Sequence, residues 1–291
     1  MSVDRFERQE RLFGKEGQAK LTAARVAVVG VGGLGTHVVQ QLTLLGVGGL
    51  ALIDSEELAT TDRNRYVGAR HDDAIPGTPK VIIGERATKD IDPSIKVMKI
   101  RASLVSEESF AAVITADYVF GCLDSEGARL VLTELSAAYA KPYIDLASDV
   151  MPGNPLHYGG QVCVAWDGNG CLVCCGLLDV PDAQAELAGV EDRRNRDALY
   201  GVERAALGRS GPSLVSINGV VASLGVTEFM VAVTGLRAPQ RVLTYHGQRG
   251  VVGVLKDAPM PDCYYCRGIR GRGNAVDVQR YIRARVGAFL R

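Results

Sequence analysis

The sequence predicts an α/β fold with a doubly wound, mainly parallel sheet continued by antiparallel strands. Three observations carry this. Short β-branched runs alternate with helical stretches up to residue 146, a glycine loop joins the first strand to the first helix, and hairpin-like strands take over afterwards. Residues 25–30 (Arg-Val-Ala-Val-Val-Gly) form a run of the kind buried on both faces of a parallel sheet. After the glycines, residues 36–45 set Val38, Leu42 and Leu45 at helical spacing, and residues 49–54 read as a second strand. The alternation continues as helix 80–90, strand 95–100, helix 106–115, strand 118–121, helix 126–138 and strand 142–146.

Past residue 146 the pattern changes. Residues 161–166, 241–246 and 250–255 read as antiparallel strands, the last two joined by a Gly-Gln-Arg-Gly turn. The charge-dense stretch 179–211 reads as a mobile crossover or lid. A C-terminal helix from Asn274 would align Val278, Ile282, Val286 and Phe289 on one face. Residues 220–236 are the most apolar, but Glu228, Gly225 and Gly235 interrupt them, so they read as a core helix and not a membrane span. The lone Trp166 is assigned to the core as well.

The chain has 291 residues, with 33 basic and 33 acidic side chains, so it has no general electrostatic attraction for nucleic acid or anionic membrane. The first residues lack the apolar core of a signal peptide, which predicts a cytoplasmic protein. Seven cysteines is an odd and unevenly clustered set, which in a reducing compartment points to metal or thiol chemistry before disulfides.

Gly30-Val31-Gly32-Gly33-Leu34-Gly35 follows a strand and opens a helix, the Rossmann-like position where backbone N–H groups meet phosphate. Asp54 ends the next strand, where a carboxylate can accept hydrogen bonds from ribose hydroxyls. By itself this motif does not separate a nicotinamide dehydrogenase from other nucleotide binders. Arg65, Lys80 and Asp124 do separate them, because they follow strand ends of the same sheet. Two cations and a carboxylate suit attack on the α-phosphate of a nucleoside triphosphate: the cations stabilise the departing pyrophosphate, and the carboxylate holds Mg²⁺.

These residues, with the run Arg5-Phe6-Glu7-Arg8-Gln9, the segment Asp62-Arg63-Asn64-Arg65 and Cys122-Leu123-Asp124, resemble the ubiquitin-activating enzyme superfamily, whose bacterial members are the ThiF/MoeB-type adenylyltransferases. The resemblance runs from Arg5 to Cys266 with order and spacing kept. It implies that ATP adenylates the C-terminal glycine carboxylate of a ubiquitin-like or sulfur-carrier protein. It further implies that Gly30, Gly32, Gly33 and Gly35 pass under the phosphates, that Asp54 holds the ribose, and that Asn64, Arg65 and Lys80 line the phosphates. Asp124 would help bind Mg²⁺, and Arg8 would reach across a homodimer interface into the partner's ATP site. On this reading residues 1–146 are the nucleotide-binding half and residues 147–291 the partner-binding half. One departure is visible: the family's loop begins with Asn where this chain has Asp62.

Cys171-Leu172-Val173-Cys174 and Cys263-Tyr264-Tyr265-Cys266 are paired C-x-x-C knuckles, the ligand pattern of a tetrahedral structural zinc site. Many members of the resembled family carry such a clamp. Cys175 could replace Cys174 as ligand, while Cys122 and Cys163 read as small packing groups. The sequence has no cysteine from residue 176 to 262, where relatives place a nucleophile, so the chemistry is expected to stop at the acyl-adenylate. His37, His71, His157 and His246 show no ligand spacing, and Asp145 and Asp149 are candidates to line a channel for the partner's C-terminus.

Other readings stay open. One is adenylation of a small molecule or modified tRNA base, for which the seven arginines of residues 267–291 would supply a local RNA contact. The others are a non-catalytic ATP-binding scaffold and, third, a nicotinamide dehydrogenase.

Overall fold

The computed structural model describes residues 5–151, 156–188 and 212–284. Every strand and helix expected up to residue 146 is present: β1 (Arg25–Val29), α2 (Gly33–Leu45), β2 (Gly49–Ile53), α3 (Lys80–Ile91), β3 (Lys96–Ile100), α4 (Glu107–Thr115), β4 (Tyr118–Gly121), α5 (Glu126–Ala138) and β5 (Tyr143–Met151). After these come β6 (His157–Ala165), α6 (Val180–Leu187), α7 (Val215–Thr234), β7 (Val242–His246), β8 (Val251–Val254) and the single-turn α8 (Arg280–Arg283).

The strands form one eight-stranded sheet in the order β3-β2-β1-β4-β5-β6-β7-β8. The first five are parallel, and β6, β7 and β8 add antiparallel. Val26 to Val29 are all buried because helices cover both faces of the sheet. On one face Val38, Leu42, Val221 and Phe229 of α2 and α7 pack over Val28, Phe120 and Ile144. On the other, Phe110, Leu132 and Leu135 of α4 and α5 pack over Val119 and Tyr143. Strand order reverses at β1, which lies between β2 and β4, so a crevice opens beyond the carboxyl ends of β1 and β4. Side chains begin α4 and α5: Ser106 Oγ accepts from Ser109 N, and Ser125 Oγ accepts from Ala128 N.

Several elements differ from expectation. A helix, α1 (Glu7–Ala23), precedes β1 although its sequence is polar nearly all round. Tertiary bonds hold it: Gln9 and Gln18 both donate to the Leu45 carbonyl at 3.1 Å, capping the end of α2. Both β5 and β6 are nine residues long, pairing from Tyr143–Ala165 to Met151–His157. Gly159 and Gly160 mask the start of β6 in the sequence, yet a Cβ on Gly160 would lie 2.5 Å from the Ala147 carbonyl oxygen, so close packing requires the glycine.

The crossover stretch is not uniformly irregular. Asp179 caps α6 by accepting from Asp182 N at 2.8 Å, and α6 packs along α5. The remaining residues of that stretch, 189–211, lie outside the described residues.

A continuous helix from Asn274 does not form. A 3-10 turn at Gly273–Ala275 is followed by α8, with Val276 and Val278 both buried between them. Val276 has extended dihedrals, φ −98° and ψ 118°, which break the helix, and a turn at Val278 leads into α8. Val286 and Phe289 lie outside the described residues. The apolar helix begins earlier than its most hydrophobic part, at Val215. It is long and apolar enough to cross a membrane, but 56% of its apolar window is buried within the protein, against α2, β5 and β6. Trp166 is half-buried, its ring centroid 5.3 Å from that of Tyr118.

Candidate active site

The glycine loop leaves β1 through Gly30, whose φ is 87°. A Cβ there would lie 2.4 Å from the Cys122 carbonyl oxygen, and one on Gly35 would lie 2.0 Å from the Gly30 carbonyl oxygen. Only glycine fits either position. A Cβ on Gly33 would press on Arg65 Cγ and Asn218 Nδ2 at 2.9 Å, whereas one on Gly32 would meet nothing within 4 Å. Gly32 is the N-cap of α2 and offers no side-chain cap, so it leaves the first-turn N–H groups of α2 uncapped beside the space at Gly32.

Asp54, one residue past β2, accepts from Val31 N at 2.7 Å and from Glu56 N at 2.8 Å, so it braces the glycine loop. Burial pushes its carboxyl up from the ordinary aspartate range, with the Lys80 charge and these backbone bonds opposing.

Lys80 opens α3 and is buried. Its Nζ lies 2.5 Å from Glu56 Oε2 and 3.5 Å from Asp62 Oδ2. Burial lowers its pKa, but the Glu56 hydrogen bond and the Asp54, Glu56 and Asp62 charges outweigh burial and hold it above the usual lysine value. Arg65 Nη2 donates to Asp62 Oδ1 at 2.9 Å, while Nη1 donates to the Thr61 carbonyl at 2.5 Å and to Asn64 Oδ1 at 3.2 Å.

Asp124 follows β4. Burial raises its carboxyl pKa, with Glu56 and Glu186 adding to the rise and Lys80 countering it, so the four groups share one electrostatic field. Glu186 of α6 is fastened to the start of α5, accepting from Ser125 Oγ at 2.7 Å and Gly127 N at 2.8 Å.

The crevice therefore gathers Gly30, Gly32, Gly33, Gly35, Asp54, Asn64, Arg65, Lys80 and Asp124 around the ends of β1, β2 and β4. Arg8 is not joined to them by any hydrogen bond among the described residues, and it stands exposed on α1. Asp145 is no channel residue. It is fully buried, bound by Arg129 Nη2 at 2.6 Å and by the Tyr143 hydroxyl at 2.7 Å. Asp149 is exposed and accepts from the Val150 N–H at 2.7 Å.

Three partners were not readable from spacing alone. Glu56 and Asp62 lie within the motif region, but their pairing with Lys80 and Arg65 depends on how the loop folds. Asn218 comes from α7, far along the chain, and its buried amide accepts from Ser148 Oγ at 2.7 Å beside Gly33.

The four knuckle cysteines also converge. The Sγ atoms of Cys171, Cys174, Cys263 and Cys266 all lie within 4.8 Å of one another, with Cys171–Cys263 at 3.6 Å and Cys174–Cys266 at 3.4 Å. A tetrahedral tetrathiolate zinc site has sulfur–sulfur edges of about 3.8 Å, so the cluster fits that ion. Cys174 belongs to this cluster, while Cys175 is not one of its four sulfurs and lies within electrostatic reach of the buried Cys163. Cys163 is buried in the hydrophobic core, as its place within a strand predicts.

Over residues 6–265 the sequence matches the ThiF family. The chain belongs to the ThiF family. Among similar proteins, the molybdopterin-synthase adenylyltransferase of Escherichia coli (strain K12) is 33% identical over 178 residues, 60% of this chain and 68% of that protein. The adenylyltransferase and sulfurtransferase MOCS3 of Bos taurus is 25% identical over 284 residues, 96% of this chain and 56% of that one. The crystal structure of E. coli MccB with MccA-N7isoASN superposes at a TM-score of 0.69 with 19% identity, covering 91% of this chain and 75% of that one, a likeness of fold. This ThiF-family chain spans about half the length of the curated relatives it matches.

Proposed function

We propose that this ThiF-family chain is an ATP-dependent adenylyltransferase that activates the C-terminal glycine carboxylate of a ubiquitin-like or sulfur-carrier protein. The observation carrying the proposal is the convergence of Lys80, Arg65 and the α2 N-terminus with Asp124 in one crevice. Relatives called molybdopterin-synthase adenylyltransferase and adenylyltransferase and sulfurtransferase support it. A carboxylate oxygen of the carrier attacks the α-phosphorus, the new O–P bond forms, and the bond to the bridging oxygen breaks to release pyrophosphate. No general base is required, because a carboxylate is ionised at neutral pH. Lys80, Arg65 and the N–H groups of α2 stabilise the charge that moves onto the leaving phosphates. Asp124, a hard oxygen donor, would hold Mg²⁺, which neutralises phosphate charge when bound.

Arg8 is assigned to the partner's ATP site in a homodimer, and the four-cysteine cluster to a structural Zn²⁺. A four-thiolate metal site suits a reducing compartment, which supports a cytoplasmic location. Residues 1–146 bind the nucleotide and residues 147–291 the carrier. With no cysteine between residues 176 and 262, the acyl-adenylate passes to an external thiol or sulfide.

The RNA reading loses ground, since Arg280 pairs with Glu134 at 2.6 Å, Arg283 with Asp277 at 2.5 Å and Arg270 with Asp167 at 3.4 Å. The decisive experiment is ATP–pyrophosphate exchange with a glycine-ended carrier. Asp124→Ala should abolish carrier-dependent exchange; exchange at the wild-type rate would reject the assigned site.

A further inference from the structure

We propose that Asp62 determines the form of nucleotide this site accepts: a fixed carboxylate among the phosphate-facing cations makes entry of ATP depend on a bound divalent cation. The inference rests on the adenylyltransferase reading of the crevice and concerns the one loop position where an amide is usual in the resembled family.

The two acids beside Lys80 differ in how they are held. Glu56 lies 2.5 Å from the ammonium, but its side chain is 54% exposed and free to swing away when a phosphate arrives. Asp62 cannot leave. Its side chain is 8% exposed, Oδ2 accepts from the Ala59 N–H at 3.0 Å and lies 3.5 Å from Lys80 Nζ, and Oδ1 accepts from Arg65 Nη2 at 2.9 Å. The same carboxylate therefore fixes the loop, aims both cations and cancels part of their charge.

The Tyr66 hydroxyl donates to the Lys80 carbonyl at 3.1 Å and ties the loop to the start of α3, so the arrangement is braced from both sides.

Repulsion between Asp62 and a phosphate chain grows in proportion to the charge of that chain. Metal-free ATP carries roughly twice the negative charge of its magnesium complex, so Asp62 disfavours the metal-free form more. A neutral side chain at this position would remove that discrimination. A purely structural role for Asp62 makes a different prediction, because a disordered loop would weaken both forms together.

The test is ATP binding to the full chain by titration calorimetry, once with excess Mg²⁺ and once with EDTA, for wild type, Asp62→Asn and Asp62→Ser. The serine hydroxyl can still accept from Ala59 N, which keeps the loop anchored if the amide does not. The wild type should bind the magnesium complex far more tightly than metal-free ATP. In the neutral variants the ratio of the two affinities should fall by about tenfold or more, through tighter binding of metal-free ATP. An unchanged ratio in both variants, or equal weakening of both forms, overturns the proposal while leaving the ATP site standing. Failure of the wild type to bind ATP with Mg²⁺ would instead overturn the site itself, and this inference with it.

Discussion

Asp73 illustrates how single carboxylates hold the loop that carries Arg65. Arg86 grips it with both terminal nitrogens, at 2.6 and 2.7 Å, and Arg70 N donates to it at 2.6 Å. The Arg86 hydrogen bonds lead these effects, which together draw its pKa down to about 2. A carboxyl depressed in the folded state stabilises the fold at pH values above its unfolded pKa, and that stabilisation disappears as pH falls through about 2. Asp73→Asn should therefore lose roughly 1–2 kcal/mol at pH 6, after allowance for solvent screening. Urea unfolding at pH 6 and again near pH 2.5 would check this, since the gap between wild type and variant should shrink in acid. Residues such as Asp54, Lys80 and Asp124 were legible in the sequence because the fold class places strand ends together. The partners Glu56 and Asp62 were not, because spacing along a loop does not reveal which acid meets which cation. Asp145 misled for a related reason: only tertiary packing brings Arg129 and Tyr143 onto it.

Among the elements, the loop between β1 and α2 separates two duties of glycine. Gly35 is needed for packing, since its Cβ would lie 2.0 Å from the Gly30 carbonyl oxygen. Gly35→Ala should destabilise the fold by roughly 1–3 kcal/mol and weaken ATP binding together. Gly32 is different, with φ −83° and nothing within 4 Å of a built Cβ. Gly32→Ala should unfold within about 0.5 kcal/mol of wild type, yet bind ATP at least about tenfold more weakly, because the methyl group fills space that the phosphates need. Equal ATP affinities for Gly32→Ala and wild type would remove Gly32 from the phosphate site. Helix and strand periodicity made the elements up to β5 readable. It failed for α1, whose few buried residues are Gly17, Gln18 and Leu21, and which depends on the end of α2 for its place.

Across the whole molecule, the four-cysteine cluster joins two segments far apart in sequence. Leu172 and Ile269, which flank these cysteines, are buried in the core shared with α5, so the cluster ties the antiparallel end of the sheet to the helix layer over its parallel strands. Elemental analysis should find one zinc per chain. Stripping it with a chelator, or replacing Cys266 by Ser, should lower the midpoint of thermal unfolding by at least about 5 °C. An unaltered midpoint after complete metal removal would deny the cluster a structural role. The covered face of α7 belongs to this scale too: Glu228, Gly225 and Gly235 mark it in the sequence as a core helix, and its contacts with α2, β5 and β6 agree.

The sequence by itself determined the α/β class, the glycine loop at a strand–helix junction, the charged residues at strand ends and the paired cysteine knuckles. These depend on local periodicity, on residue spacing and on the few side chains able to do the chemistry. Tertiary structure alone decided the strand order that opens the crevice, the helix at residues 7–23 and the choice of Cys174 over Cys175. It also decided the capture of Lys80 and Arg65 by Asp62 and Glu56. The physical reason is that each depends on how a loop folds or on which distant segments meet, and local periodicity and spacing set neither.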